Sequence, residues 1–199
     1  MNGSGADRRP TAVTALVPPF SRVHGVSSDE AASGVPSFDS TYAEYFPFVW
    51  RSLRALGVAP HALDDAAQDV FVVVHRQLSS FAGQSTLRTW LFGIVRNVAS
   101  NHRRARARMG DTTVREDLRA TGQGPEDSAR DRQAADFIRR FLDSLDDRKR
   151  EVFVLCLLEE LSVPEAAEAL GIPLNTAYTR LRRVRAEFRR ALLEQRENP

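Results

Sequence analysis

Cysteine, lysine and long apolar runs are scarce in this 199-residue chain, and the scarcity of cysteine and of apolar runs excludes whole classes of protein. The single cysteine, Cys156, allows neither an intramolecular disulfide nor a cysteine-based metal site, so we expect a small buried hydrophobe there. No apolar run approaches the roughly 20 residues that cross a bilayer. Residues 12–20 are interrupted by Pro18 and Pro19 and lack a clean cleavage site, which argues against a signal peptide. The sequence therefore predicts a cytoplasmic protein without direct membrane insertion.

Lys149 is the only lysine, so arginine supplies nearly all of the 28 basic charges. The formal net charge is only +2, with an isoelectric point near 9.1, so the distribution of charge is more informative than its sum. There is no phosphate-cradling glycine loop and no nucleophile paired with a base at a recognisable spacing. His102 has no partner at a metal-ligand spacing. We therefore expect no enzyme activity, no catalytic residue, no cofactor and no metal.

The chain divides into four segments by composition. Residues 1–38 are rich in glycine, serine, proline and alanine without a helical period, which predicts a disordered tail. Residues 39–108 place apolar side chains at helical spacing and contain three predicted helices. Residues 109–130 combine glycines with acidic residues and predict a flexible acidic linker. Residues 131–195 return to helical spacing and predict a second domain.

The clearest pattern is a helix-turn-helix between Leu161 and Leu193. Ser162 and Glu165 fit a capping box at the start of a short helix, and Gly171 suits the left-handed position at its end. A second helix from about Asn175 has an apolar inner stripe and a polar, arginine-rich outer face, as in helices that contact DNA. An ordinary surface helix with solvated arginines is the disfavoured alternative, because cap, turn and arginine face occur together. The fold class is thus all-α: two small helical domains joined by a flexible linker, the C-terminal one a helix-turn-helix.

Two surfaces of the N-terminal domain also carry signals. The second helix, about residues 60–78, places its acidic side chains off its apolar stripe, and Phe71 lies to one side of that stripe, so we expect Phe71 to be exposed. The third helix, about residues 86–107, contains Trp90 and becomes basic, with no acidic residue from Arg96 to Arg108. A tryptophan beside arginines suits stacking on unpaired bases. A core tryptophan beside solvated arginines is an equally weighted alternative.

Four stretches together resemble bacterial RNA polymerase sigma factors of the sigma-70 family, extracytoplasmic-function (ECF) group. They are DAAQDVF at 65–71, FAG at 81–83 with TWLFGIVRN at 89–97, LDDRKREVF at 145–153, and the helix-turn-helix at 161–185. Each stretch alone is weakly specific, whereas all four in this order and spacing are specific. The resemblance covers about residues 40–193.

The resemblance implies a role for each domain in starting transcription by opening promoter DNA without bond chemistry. Residues 39–108 correspond to sigma region 2 and residues 131–195 to region 4, with core RNA polymerase, promoter DNA and an anti-sigma factor as partners. The implied polymerase-binding residues are Asp65, Gln68, Asp69 and Phe71. The implied −10 DNA-binding residues are Phe81, Trp90, Asn97, Asn101, Arg103 and Arg104. The implied −35 DNA-binding residues are Asn175, Thr176, Tyr178, Thr179, Arg180, Arg182 and Arg183.

The chain also departs from the family pattern in its recognition helix. Tyr178 stands where a basic residue is common and Thr179 where a serine is common, which leaves the promoter sequence open. A stand-alone helix-turn-helix regulator is the alternative function, since it would share the C-terminal domain without needing the 65–71 face or the Trp90 region. A helical adaptor that binds only protein is disfavoured by the two arginine clusters.

Overall fold

The computed structural model describes residues 36–108 and 125–197, and within these ranges it contains seven α-helices and no strand. The helices are α1 Phe38–Ala55, α2 Leu63–Gln77, α3 Leu87–Arg108, α4 Pro125–Ser144, α5 Asp147–Phe153, α6 Val163–Leu170 and α7 Leu174–Glu197. Short 3₁₀ turns flank α2, and a π-helical turn, Val154–Leu158, extends α5. The all-α prediction is confirmed. None of the described helices is both long and apolar enough to span a membrane.

Two predicted boundaries were wrong where the structure describes them. Residues 1–35 of the predicted tail lie outside the described residues, but Phe38 begins α1, and the Ser37 hydroxyl accepts a hydrogen bond from the backbone N–H of Ser40. Residues 109–124 of the predicted linker also lie outside them, whereas residues 125–130 belong to α4. A proline followed by acidic residues is typical of the start of a helix. The prediction assigned these acidic residues to the linker instead.

The N-terminal half is a three-helix unit formed by α1, α2 and α3. Its centre is built from fully buried aliphatic side chains, including Val49, Val70, Val74 and Val95. Pro47 lies inside α1, which nevertheless runs unbroken from Phe38 to Ala55. The apolar stripes that the sequence places at helical spacing in residues 39–108 include these four side chains.

The C-terminal half packs α4, α5 and α7 around four phenylalanines. Phe141, Phe153 and Phe188 have ring centroids 5.0–5.3 Å apart, and Phe137 lies 5.8 Å from Phe188. Cys156, in the π-helical turn, is half-buried, and burial raises the pKa of its thiol to about 11. The thiol is therefore neutral at physiological pH.

The two halves pack against each other and do not stand apart. Their buried apolar side chains form one contiguous core that includes Phe92 of α3 together with Leu170 of α6. A linker composition predicts a tether, but it carries no information on whether the tethered units touch.

Candidate nucleic-acid and polymerase interfaces

The helix-turn-helix begins with the predicted capping box. The backbone N–H of Ser162 donates to Glu165 Oε2 at 2.8 Å, and the N–H of Glu165 donates to Ser162 Oγ at 3.4 Å. The Ser162 hydroxyl also donates to Glu165 Oε2 at 2.6 Å, and this hydrogen bond, followed by that of the Ser162 backbone N–H, lowers the pKa of the Glu165 carboxyl. At the other end of α6, Gly171 adopts φ 62° and ψ 39°, a left-handed conformation that favours glycine. Helix α6, which leads into α7, thus has a defined start and a defined end.

The outer face of α7 is exposed, as its sequence pattern predicted. Ala177, Leu181 and Val184 are buried against the domain. Tyr178 is 52% exposed, and the Thr179 hydroxyl donates to the Asn175 carbonyl at 2.8 Å. Of the predicted −35 residues, Asn175, Tyr178, Thr179, Arg182 and Arg183 are exposed, and Thr176 and Arg180 are partly buried. The sequence pattern did not single out Leu174, which is 44% exposed at the start of this helix.

The predicted −10 residues lie on different faces of α3, except Phe81, which precedes this helix. Phe81 and Trp90 form a ring pair with centroids 5.3 Å apart, both partly buried. Asn97 and Asn101 are exposed, one helical turn apart, and the Arg104 guanidinium donates to Asn101 Oδ1 at 2.8 Å. The exposed amides and this guanidinium form one polar surface.

Arg103 does not belong to that surface. Its guanidinium donates to Asp147 Oδ2 at 2.9 Å and to the Leu56 carbonyl, and only 21% of its side chain is exposed. The prediction grouped it with Arg104 because the two are adjacent in sequence, but adjacent residues of a helix point about 100° apart.

The predicted polymerase-binding residues lie along α2. Asp65, Gln68 and Asp69 are exposed, and Asp69 Oδ2 lies 2.9 Å from Nε2 of His102 on α3. The expectation that Phe71 is exposed was wrong, because its side chain is buried, with 4% of its surface accessible.

Phe71 is buried because α1 covers it with aromatic side chains. Its ring centroid lies 4.6 Å from that of Tyr42, 6.1 Å from Phe46 and 6.4 Å from Phe38. These rings line an open groove of about 700 Å³ beside Gln68. Phe71 therefore forms part of the groove wall and does not project from α2.

A second feature, which the sequence pattern did not indicate, joins the two halves through an antiparallel ladder of ion pairs. Arg88 Nη2 lies 2.8 Å from Glu159 Oε2, Arg96 Nε lies 2.7 Å from Glu151 Oε1, and Arg103 pairs with Asp147 as described. All three arginines belong to α3, and the carboxylates belong to α5 and the residue that ends the π-helical turn. Helical spacing within each segment allows such rows, but only the packing of α3 against the C-terminal half reveals them.

Glu159 is the most buried carboxylate of this ladder. Its side chain is 3% exposed. Arg51 of α1 donates from Nε to Glu159 Oε1 at 3.3 Å and from Nη2 to Glu159 Oε2 at 3.0 Å. The Arg88 guanidinium, which also bonds Glu159, lies over the Phe48 ring at 4.8 Å from its centroid. A carboxylate this buried is tolerated because two guanidinium groups pair with it, both of them supplied by the other half of the molecule.

Comparisons with known proteins agree with this architecture. The family model described as Sigma-70 region 2 matches residues 41–109, and the model described as Sigma-70, region 4 matches residues 138–188. RNA polymerase sigma factor YlaC of Bacillus subtilis is 31% identical over 159 residues, which cover 78% of this chain and 90% of the relative. ECF RNA polymerase sigma factor SigE of Mycolicibacterium smegmatis is 29% identical over 175 residues, which cover 86% of this chain and 67% of the relative.

The solved structures include a similar fold. CnrH, in its complex with the cytosolic domain of CnrY, superposes with a TM-score of 0.58 at 28% identity, covering 79% of this chain and 88% of that one. The matched regions, the relatives and this fold together exclude a stand-alone regulator, which would need only the C-terminal half. The chain belongs to the sigma-70 family of bacterial RNA polymerase sigma factors, in its extracytoplasmic-function group, and is a promoter-recognising transcription initiation factor, not an enzyme.

Proposed function

We propose that this sigma factor divides promoter recognition between the exposed outer face of α7 and the exposed polar surface of α3. The main supporting observation is that the Tyr178, Arg182 and Arg183 side chains are exposed on α7, which follows the capped helix α6 and its glycine turn. In this proposal residues 39–108 act as region 2 and residues 131–195 as region 4. Because promoter DNA lies on the chromosome, we place the protein in the cytoplasm.

Contacts with the −35 element come from α7 in this proposal. Arginine binds phosphates and also bonds bidentately to guanine in the major groove, so Arg182 and Arg183 suit either role. Asn175 and Thr179 at the start of the helix lie where helices of this motif meet base edges. Thr176 and Arg180, which are partly buried, serve at the margin of this contact.

Contacts with the −10 element come from α3 and the residues before it. Phe81 and Trp90 present a pair of rings on which an unpaired base can stack, a contact worth roughly 1–3 kcal/mol per base. Extrusion of that base from the duplex costs only a few kcal/mol. Asn97, Asn101 and Arg104 lie farther along α3 and suit the strand that follows. Binding energy alone can therefore open the DNA.

Core RNA polymerase binds α2 in this proposal. Asp65, Gln68 and Asp69 form an acidic and polar edge, and the aromatic groove that includes Phe71 lies beside it. An acidic edge next to an apolar groove suits a basic helical partner with apolar side chains. Phe71 contributes by supporting the groove.

We also propose that an anti-sigma factor restrains this protein. The supporting observation is that CnrH, which shares the fold at 28% identity, was solved in complex with the cytosolic domain of CnrY.

A paired substitution tests the role of α7. Arg182→Ala combined with Arg183→Ala should lower the affinity of the holoenzyme for promoter duplex roughly 10-fold or more at fixed salt, because each guanidinium contact contributes about 1–3 kcal/mol. Arg189→Ala combined with Arg190→Ala removes two exposed arginines farther along the same helix and is the matched control. A titration of the promoter duplex with holoenzyme at fixed salt measures the affinity. Equal affinities of the two double variants would contradict the proposed role.

Capture of core polymerase tests the role of α2. Asp65→Arg should abolish most of the capture, because it reverses the charge of the acidic edge. Glu44→Arg makes the same charge change at an exposed position of α1 and should bind normally. Wild-type capture by the Asp65 variant would count against the proposed polymerase surface.

A further inference from the structure

The α3 helix has a second charged face that the proposed promoter contacts do not use. Arg96 and Arg103 follow Arg88 by 8 and 15 residues in the sequence. At 100° per residue, the three arginines therefore lie within a sector of about 80° of the helix. The polar surface with Asn97 and Asn101 lies on a different side of the helix. Each arginine of this row is paired with a carboxylate of the C-terminal half, in reverse chain order.

Each arginine of this ladder binds a carboxylate at a position where it can also bind a phosphate. The guanidinium group recognises carboxylate and phosphate through the same planar, two-pronged geometry. The Glu151 and Glu159 side chains are 11% and 3% exposed, so they are withdrawn from solvent and held by arginine. Arg96 also donates to the Leu170 carbonyl at 3.3 Å, which ties the same row to α6.

The interface also brings arginines close to one another. Arg150 of α5 lies near Arg103, and burial together with this neighbour lowers the pKa of the Arg150 guanidinium. Likewise, burial and the neighbouring Arg139 of α4 lower the pKa of Arg54 in α1. Arginines of the two halves therefore lie close together along the seam, and their mutual repulsion costs electrostatic energy in the closed molecule.

We propose that an arginine row of α3 (Arg88, Arg96 and Arg103) binds the phosphates of the promoter backbone once the two halves separate. In the closed molecule Asp147, Glu151 and Glu159 occupy this row in place of the phosphates. The inference rests on the proposed function, because it requires promoter DNA as the ligand. It adds a backbone-binding surface beside the Asn97–Asn101 surface of the same helix. The arginine row is therefore masked in the closed molecule, because the carboxylates contact it only while the two halves are packed together.

Neutralising the carboxylates tests the masking directly. The triple variant Asp147→Asn, Glu151→Gln and Glu159→Gln should bind a short fluorescein-labelled DNA duplex of arbitrary sequence roughly 10-fold more tightly than wild type, without polymerase. The slope of log affinity against log salt should steepen by roughly 0.9 for each arginine that gains a phosphate. The matched control, Asp136→Asn, Asp143→Asn and Glu194→Gln, changes the net charge equally at exposed positions of the same half.

Adding arginine substitutions tests which residues bind the DNA. Arg88→Gln, Arg96→Gln and Arg103→Gln in the neutralised variant restore the original net charge and should return affinity and salt slope to wild-type values. Arg140→Gln, Arg148→Gln and Arg189→Gln in the same background remove three exposed arginines outside the row and should keep most of the gain.

Two outcomes would overturn the inference. One is an equal gain from the ladder and control carboxylate variants. The other is an equal loss from the two arginine sets. Circular dichroism must show unchanged helix content, and the milder Glu159→Gln variant should shift affinity in the same direction by a smaller factor. Failure of wild-type protein and core polymerase to initiate transcription would instead refute the proposed function, whatever the polymerase-free affinities.

Discussion

Leu174 and Tyr178 are two apolar side chains exposed at the start of the recognition helix, one turn apart. Reading positions of such helices are usually polar or charged, because they bond to base edges and phosphates. An apolar surface at the same place suits the C5-methyl group of thymine, the one apolar feature of the major groove. We therefore propose that Tyr178, the residue that departs from the family pattern, is a source of sequence preference.

We expect Tyr178→Ala to lose a preference for thymine. Replacing thymine by deoxyuridine in the −35 region removes only methyl groups, and each lost contact should cost about 0.8 kcal/mol, roughly a fourfold drop in affinity. Holoenzyme binding to paired thymine and deoxyuridine promoters measures the effect. The wild type should discriminate and Tyr178→Ala should not, whereas Tyr178→Phe should behave like the wild type. Identical discrimination by all three proteins would contradict the assignment.

Glu165 offers a test of the capping box through pH. Its pKa is lowered in the folded protein by hydrogen bonds from Ser162, so its charge contributes stability above the usual value of 4.5 and this contribution is lost as the pH falls through the folded pKa. Glu165→Gln should therefore lower the melting temperature at neutral pH, and the gap should close in acid. Glu168→Gln, on the same helix and exposed, is the control that should show no such gap. A gap independent of pH would mean that the charge of Glu165 is irrelevant.

Individual residues were predictable where their environment is local. The capping box and the outward side chains of α7 follow from spacing within one helix, and the structure bears these out. Phe71 and Arg103 were misplaced because their surroundings are supplied by other elements, namely the aromatic face of α1 and the carboxylates of α5. Periodicity within a helix carries no record of what will lie against its margins.

At the scale of elements, the two ends of α6 show how strongly local chemistry fixes the motif. Ser162 begins the helix with a hydrogen-bonded cap, and Gly171 ends it with a positive φ. The predicted helices match the observed ones within a few residues, except that α4 begins at Pro125. Its start was missed because the same acidic residues favour both a linker and a first helical turn.

Two glycines should respond with opposite sign to the same substitution. Gly171→Ala should destabilise the protein by about 1–2 kcal/mol, because an L-residue is strained in the left-handed region even though nothing lies within 4 Å of an added Cβ. Gly93→Ala, inside α3 and equally free of close neighbours, should stabilise it by about 0.5–1 kcal/mol. Urea denaturation of both variants measures the difference. Equal effects would mean that backbone conformation does not govern the turn.

At the scale of the whole molecule, the closed packing of the two halves is the feature furthest from sequence inference. The paired residues Arg51 and Glu159 are 108 positions apart, and Arg96 and Glu151 are 55 apart. Each half is identified by its own helical pattern, but complementary charges on two separate surfaces are too common for sequence to select the pairs that meet.

The closed packing should depend on the ladder. We expect the triple variant Asp147→Asn, Glu151→Gln and Glu159→Gln to have a larger radius of gyration than wild type in small-angle scattering, because arginines left facing each other repel. The control variant at Asp136, Asp143 and Glu194 should keep the wild-type radius. Equal radii for all three proteins would show that apolar contacts alone hold the halves together.

The scarcity of lysine has a practical consequence for observing this molecule. A lysine-specific protease has a single internal bond to cut, that between Lys149 and Arg150, and this bond lies within α5. The Lys149 amine is held by Glu187 at 2.9 Å, while Arg150 donates to the carbonyls of Leu142 and Leu145. Cleavage therefore requires α5 to unravel locally. Since α5 also carries Asp147 and Glu151, the digestion rate of the unmodified protein reports how often the helix that holds these two carboxylates unfolds locally.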